Sequence, residues 1–123
     1  MKQTVVITGA SRGIGRAVAL AFARKSASEN NQEEYNIFVN CAKNSELLEN
    51  VKKQIRDLGV CCESFTGDIS DYNTAMEMFD DIHRHFGNVD ILVNNAGISI
   101  IGLFQDMTRD EWDRIMNVNV GSV

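Results

Sequence analysis

The stretch TGASRGIG, Thr8 to Gly15, places three glycines at a spacing that chemistry can use. Before it stands TVVIT (Thr4 to Thr8), a β-branched run that reads as a buried strand. After it, Ile14, Ala17, Val18, Ala21 and Phe22 recur at helical spacing. In that context Gly9 can make the tight turn off the strand. Gly13 lets the backbone approach a phosphate closely, and Gly15 lets the helix pack on the sheet. The unpaired N–H groups of the helix start, aided by the helix dipole, would then face a pyrophosphate. No Gly-Lys-Ser/Thr follows, so this is not a Walker A loop. The alternative is a plain strand-to-helix turn. A second residue stands out near the other end. Asn119 falls on an apolar face made by Trp112, Ile115, Met116, Val120 and Val123, where a buried amide needs a partner.

The elements that must position these residues follow from periodicity. SASENNQEE (Ser26 to Glu34) is a polar loop, and YNIFVN (Tyr35 to Asn40) a second strand. Leu47, Leu48, Val51, Ile55 and Leu58 mark a second helix, with Ser45 as its N-cap and Gly59 as the left-handed residue after it. Cys61 to Thr66 reads as a third strand. Tyr72, Ala75, Met76, Phe79, Ile82 and Phe86 give a third helix ended by Gly87, and its Met and Phe stripe is core packing. VDILVN (Val89 to Asn94) is a fourth strand. Thr108 and Glu111 have capping-box spacing, with Met107 stapled onto Trp112, and open a fourth helix. Alternating strands and helices imply an α/β fold, a doubly wound parallel sheet with right-handed crossovers and helices on both faces.

Composition narrows the partners. The net charge is −5, and the 12 Lys and Arg residues are scattered, which speaks against nucleic acid or an anionic membrane as partner. The start, MKQTVVITGA, is too short for a signal h-region or a bilayer span, so a cytoplasmic protein is expected. Cys41, Cys61 and Cys62 form no CxxC and read as small buried hydrophobes, with no metal site. His83 and His85 read as surface residues without a ligand role.

TGASRGIG matches the TGxxxGxG pattern of the short-chain dehydrogenases/reductases. GDIS (Gly67 to Ser70), NNAG (Asn94 to Gly97) and EWDRIMNVNV (Glu111 to Val120) fall in that family's order, so the chain resembles the family along essentially its whole length. The resemblance implies a Rossmann sheet of strand order 3-2-1-4. It implies that Gly9, Ser11, Arg12, Gly13, Ile14 and Gly15 form the phosphate turn. Asp68 would accept from the adenine amino group with Ile69 beside the ring; a simple Asx turn is the alternative for Asp68. Asn95, Ala96 and Gly97 would line the cofactor ribose and Asn94 would hold the central strands, with a strand-ending turn as the alternative. Asn119 aligns with the Asn of the family's Asn–Ser–Tyr–Lys tetrad, where it helps hold a proton-relaying water; an ordinary helix-bending Asn is the alternative.

The second strand should select the cofactor. NAD-type members end it with an acid that bonds the ribose 2′-OH. Here that position aligns with Cys41, no Asp or Glu lies between Tyr35 and Ser45, and Arg12 and Lys43 could meet a 2′-phosphate, so NADP is the expected cofactor, with NADPH preferred over NADH. The loop at Ser26 to Glu34 is longer than is usual in the family and should bulge at the surface.

The larger departure is that the catalytic Ser and Tyr-x-x-x-Lys are absent. Four residues after Tyr35 and Tyr72 stand Val39 and Met76, not Lys. Residues 1–123 therefore read as the N-terminal part of a single NAD(P)-binding Rossmann domain, truncated inside the helix of Asn119 and without the C-terminal catalytic part. On its own this fragment should be inactive and marginally stable, with a homo-oligomer expected only of the full-length form. Within the family, the SRGIG turn and the GISxxGLFxDMTxxEWD-like run most resemble 3-oxoacyl-acyl-carrier-protein reductases. The implied activity is NAD(P)H-dependent reduction of a small-molecule or carrier-bound carbonyl. A non-catalytic NAD(P)-binding module or degenerate paralogue is the alternative.

Overall fold

The computed structural model describes residues 2–28 and 34–95. Along them run β1 (Gln3–Ile7), α1 (Gly13–Ala27), β2 (Tyr35–Cys41), α2 (Ser45–Asp57), β3 (Cys62–Thr66), α3 (Tyr72–Phe86) and β4 (Ile91–Val93). Every strand pair is parallel and the order across the sheet is β3-β2-β1-β4. The expected capping box at Thr108, its staple and the helix of Asn119 lie outside the described residues.

Handedness fixes the layers. Stepping from β1 to β2 to β3 by right-handed crossovers puts α1 and α2 on one face. Returning across the sheet from β3 to β4 reverses the step, so α3 lies on the other face. The buried residues follow, with the strand period of two. Val5, Ile7, Ile37 and Val39 pack with Ala19, Leu20 and Ala23 of α1 and with Leu48, Val51 and Ile55 of α2. Val6, Phe38 and Leu92 pack with Ala75, Met78, Phe79 and Ile82 of α3. A sheet covered on both sides needs apolar residues at successive positions, which is why β1 and β2 read as runs rather than alternations. Burying each such large side chain contributes about 1.5–3 kcal/mol.

The strand edges are trimmed by side chains. Asp90 Oδ2 accepts from Thr4 N at 2.8 Å, and Asp90 N donates to Thr4 O at 3.0 Å. That pairing starts the β1–β4 ladder, so β4 proper is three residues, shorter than the apolar run suggests. Tyr35 closes the far end of the α1 face. Its ring meets Phe22 edge-on at 5.1 Å, and its N–H donates to Ser26 Oγ at 3.0 Å.

Three details depart from the periodicity reading. On α1 the buried face is Gly15, Ala19, Leu20 and Ala23, whereas Ala17 and Ala21 are exposed and Ile14 is 74% exposed. At Gly15 no larger side chain fits, because the helix lies close against its own turn; Val18 and Phe22 pack partly buried against the core beside this face. On α2 the cap is Asn44, one residue before Ser45, and its Oδ1 accepts from Leu47 N at 3.1 Å. Leu47 and Leu58, at the margins of the stripe, stay exposed. On α3 Met78 is fully buried, Met76 is half-buried and Tyr72 is exposed. Gly59 and Gly87 follow α2 and α3 with φ of 81° and 84°, the left-handed backbone that stops a helix.

Candidate functional site

β1 and β4 are neighbours at the point where the strand order reverses, with α1, which leaves β1, and α3, which leads into β4, on opposite faces of the sheet. The crevice beyond their C-terminal ends is the switch point at which open α/β sheets bind ligands. The site is built there from three turns.

The first turn leaves β1. Thr8 is fully buried, donates from its backbone N–H to Val93 O at 3.1 Å, and accepts at Oγ1 from Asn95 N at 2.9 Å. Gly9 then turns the chain with φ 61°, and Ala10 N reaches across to Asn40 O at 2.8 Å. Arg12 is the N-cap of α1 with extended backbone, yet its side chain caps nothing, and the first turn of α1 holds no acid. The leading N–H groups of a helix have no partner within the helix, so α1 presents donors and the positive end of its dipole to the crevice. Gly13 has φ 62°, and a Cβ there would meet nothing within 4 Å. Its glycine is therefore explained by backbone conformation, and the space above it is open.

Gly15 has the opposite problem. A Cβ there would lie 2.2 Å from Gly9 O and 2.8 Å from Asn95 Nδ2. This refines the sequence reading: the close approach is of the helix to its own turn and to the end of β4, more than to the sheet. Asn95 Nδ2 in turn donates to Gly9 O at 3.2 Å. Asn95 so links β4 to the glycine turn. Asn94 precedes it with a buried Oδ1 that has no hydrogen-bond partner among the described residues.

The second turn, GDIS, follows β3. Gly67 N donates to Cys41 O at 2.9 Å, and a Cβ on Gly67 would lie 2.7 Å from Thr74 Cγ2. Asp68 is exposed, and its Oδ1 accepts from Ser70 N at 3.0 Å and Ser70 Oγ at 2.6 Å. These bonds form an Asx turn. They are the main reason the carboxyl lies below the usual carboxylate range, and the nearby charge of Lys43 adds to it. Ile69 is buried among the residues under α3, so its backbone, not its side chain, is what it can offer a ligand.

The third piece is the end of β2. Cys41 is buried, with Sγ on Asn44 O at 3.3 Å, and so turns into the fold. Lys43 is exposed on the Asp68 side of the site. Arg12 lies on the other side, in an open groove of about 550 Å³ that runs between α1 and α2. Arg16 and Lys53 also line that groove against a single acid, Asp57, which leaves it cationic. The structure thus brings Gly9, Ser11, Arg12, Gly13, Ile14 and Gly15 together at one helix start, and Lys43, Asp68 and Ile69 at the neighbouring strand ends. Ala96, Gly97 and Asn119 lie outside the described residues.

Two residues at the centre of this arrangement were not singled out from sequence: Thr8 and Asn40. Both are polar residues, fully or almost fully buried, at the ends of apolar strands. A polar side chain within an apolar strand was the signal available. Cys61 corrects another reading. It is exposed, just before β3 begins, and only Cys41 and Cys62 are buried. His83 and His85 are exposed. No group of three His, Cys, Asp or Glu among the described residues could hold a metal, and no helix among them is long and apolar enough to cross a membrane.

Similarity to known proteins runs along the same lines. The 3-oxoacyl-acyl-carrier-protein reductase of Staphylococcus aureus is 36% identical over 123 residues, 100% of this chain and 47% of that protein. Sepiapterin reductase of Chlorobaculum tepidum is 36% identical over 120 residues, 98% of this chain and 48% of that protein. The chain thus spans about half the length of the curated relatives it matches. A crystal structure of a phenylalanine-to-tryptophan variant of actinorhodin polyketide ketoreductase with NADPH superposes with a TM-score of 0.63 at 31% identity, covering 79% of this chain and 34% of that one. The family model for short chain dehydrogenase matches residues 3–123, so the chain belongs to the short chain dehydrogenase family.

Proposed function

We propose that this chain supplies the cofactor-binding half of an NAD(P)H-dependent carbonyl reductase, one that reduces 3-oxoacyl thioesters or related ketones. The observation that carries the reading is the start of α1: an uncapped 15-residue helix, a left-handed Gly13 under open space, and Arg12 beside it. These features fit a dinucleotide phosphate. Relatives named as 3-oxoacyl and sepiapterin reductases, and a ketoreductase solved with NADPH, support the same class.

In this reading the glycine turn and the N–H groups of α1 bind the pyrophosphate. Ser11 and Ile14 flank it. Asp68 offers its second carboxylate oxygen to the adenine amino group, while the bonds from Ser70 hold the carboxylate ionised and oriented. Asn95, Ala96 and Gly97 line the ribose. When bound, the nicotinamide supplies a hydride to the carbonyl carbon. Asn119 holds water on the proton path. Proton donation itself falls to a Ser/Tyr/Lys set that residues 1–123 do not carry.

NADPH is preferred over NADH. No acid stands at the end of β2, where Cys41 is turned inward, and Arg12 and Lys43 bracket the place a 2′-phosphate would take. Each charge-assisted hydrogen bond contributes about 1.5–3 kcal/mol, or roughly 10- to 100-fold in affinity. The full-length protein acts in the cytoplasm as a homo-oligomer.

Steady-state kinetics of the full-length protein with acetoacetyl thioester, using both cofactors and Arg12→Ala, tests this. The expected result is turnover with NADPH at a lower KM than with NADH, and a preference diminished in Arg12→Ala. Tighter use of NADH, or an unchanged preference in the variant, overturns the selectivity. Failure to consume either cofactor with any ketone overturns the reductase.

A further inference from the structure

The buried amide of Asn40 has no place in the cofactor reading so far. Its residue is 1% exposed, at the C-terminal end of β2. Nδ2 donates to Phe65 O at 3.1 Å and to Gly67 O at 3.3 Å, with Cys41 O also at 3.3 Å. Three carbonyl oxygens from two adjacent strand ends thus converge on one NH2 group. Its backbone oxygen meanwhile accepts from Ala10 N in the glycine turn. One residue therefore ties together the two turns between which the adenosine half of a dinucleotide would lie.

We infer that Asn40 is a positioning residue for the adenine side of the site: its amide fixes the path of Gly67 and so the placement of Asp68. This rests on the cofactor reading above.

The chemistry of the position is restrictive. Three acceptors face it, so the side chain must donate and must offer two hydrogens. Leu has the same branched outline but is bulkier and donates nothing, so the bonds from Nδ2 to Phe65 O and Gly67 O are lost, while Cys41 O keeps its bond from Gly67 N. Asp keeps the shape but sets a carboxylate against carbonyl oxygens. Gly67 is confined from the other side as well. An added Cβ would press on Thr74 Cγ2 at 2.7 Å and Phe65 Cε1 at 2.8 Å. The turn carrying Asp68 is held from the strand side by Asn40 and from the helix side by Thr74, and moving it by either route moves the same carboxylate.

The test uses the full-length protein with Asn40→Leu, Asn40→Asp and, as a route that leaves Asn40 intact, Gly67→Ala. NADPH is varied at saturating carbonyl substrate, and adenosine 2′,5′-bisphosphate serves as the adenine-side probe. KM for NADPH should rise about tenfold or more, the loss expected when the hydrogen bonds that hold the turn are removed. The dissociation constant of the bisphosphate should rise in parallel, while kcat stays within about twofold, since the reacting end does not depend on this turn. Gly67→Ala should show the same split. Unchanged affinity for both probes, or a fall in kcat with affinity kept, overturns the role of Asn40. If an Asn40 variant does not fold, Gly67→Ala decides alone, because its split must appear for the turn to matter. A wild-type protein that binds neither probe overturns the cofactor reading, and this inference with it.

Discussion

α1 and α3 are both 15-residue helices packed on the same sheet, yet their beginnings are built on opposite principles. α3 starts at Asp71, whose Oδ2 accepts from Thr74 N at 3.0 Å and from Thr74 Oγ1 at 2.8 Å. α2 resembles it, with Asn44 as the cap. α1 has an arginine at the equivalent place, no capping side chain and no acid in its first turn. Leaving a helix start unsatisfied costs stability, about 1 kcal/mol by the usual effect of removing a cap. Among the three helices of the described residues, the fold accepts that cost only at the one aimed into the switch-point crevice. Where a helix only has to be stable, its own side chains answer its N–H groups. Where, in the proposed reading, it binds an anion, they are left for the ligand.

The buried faces show the same division. α3 meets the sheet through Met78, Phe79 and Ile82, and α1 through Gly15, Ala19, Leu20 and Ala23. Large side chains suffice to hold a layer together. Small ones let α1 come down onto Gly9 and Asn95. The largest effect should therefore come from Gly15→Ala. Its Cβ would lie 2.2 Å from a backbone oxygen, so the turn or the helix must shift. Overpacking of this kind costs about 1–3 kcal/mol and occasionally more. A lower melting temperature of the full-length protein, together with loss of NADPH binding, is expected. An unchanged melt and affinity would mean that the close approach is not needed.

Next comes Asn44→Ala, which removes a cap from a helix start outside the crevice. It should lower stability by about 1 kcal/mol, read as a shift in the denaturant midpoint, and leave NADPH affinity unaltered. A parallel loss of affinity would erase the distinction between structural and ligand-facing helix starts.

The smallest effect concerns the adjacent thiols. Burial pushes the Cys62 thiol up to about 12 from an ordinary 9.0, with Arg56 and Lys52 pulling weakly the other way. Cys61, its neighbour, is exposed. A thiol reagent at pH 8 should label Cys61 in the native protein and reach Cys62 only on unfolding. Because the fold favours the protonated thiol, the contribution of Cys62 is fully present below pH 9.0 and lost as the pH rises toward 12. The gap in melting temperature between wild type and Cys62→Ala should narrow above pH 9.0. A gap that widens there contradicts the burial.

Much of the fold was legible because it depends on simple periods. Apolar runs such as Val5 to Ile7 and Ile37 to Val39 announce strands covered on both faces, and alternation with helices sets their direction. The face of α1 was legible only in part: Val18 and Phe22 pack against the core, but Ile14, Ala17 and Ala21 do not, for a physical reason. Hydrophobicity ranks Ile14 above Gly15 and Ala19, but close packing on a turn selects for size, and Ile14 is left 74% exposed. Asn40 was missed although the reasoning that singles out Asn119, an amide among apolar neighbours, applies equally to it. Asp68 shows what a motif leaves out. The sequence admits both an adenine partner and an Asx turn, and in the fold the Asx bonds to Ser70 use only one of its two carboxylate oxygens.

The contrast between helix starts is tested most directly by giving α1 the cap it lacks. Arg12→Asp places a capping carboxylate at the N-terminus of α1 and removes the cation beside the crevice. In the full-length protein, thermal melting without ligand and calorimetric titration with NADPH should move in opposite directions. The variant should melt at the same or a higher temperature, since a cap and a favourable dipole contact each add up to about 1 kcal/mol, and it should lose measurable NADPH binding. A variant that binds NADPH as tightly as wild type would contradict the assignment of the α1 start as the phosphate site.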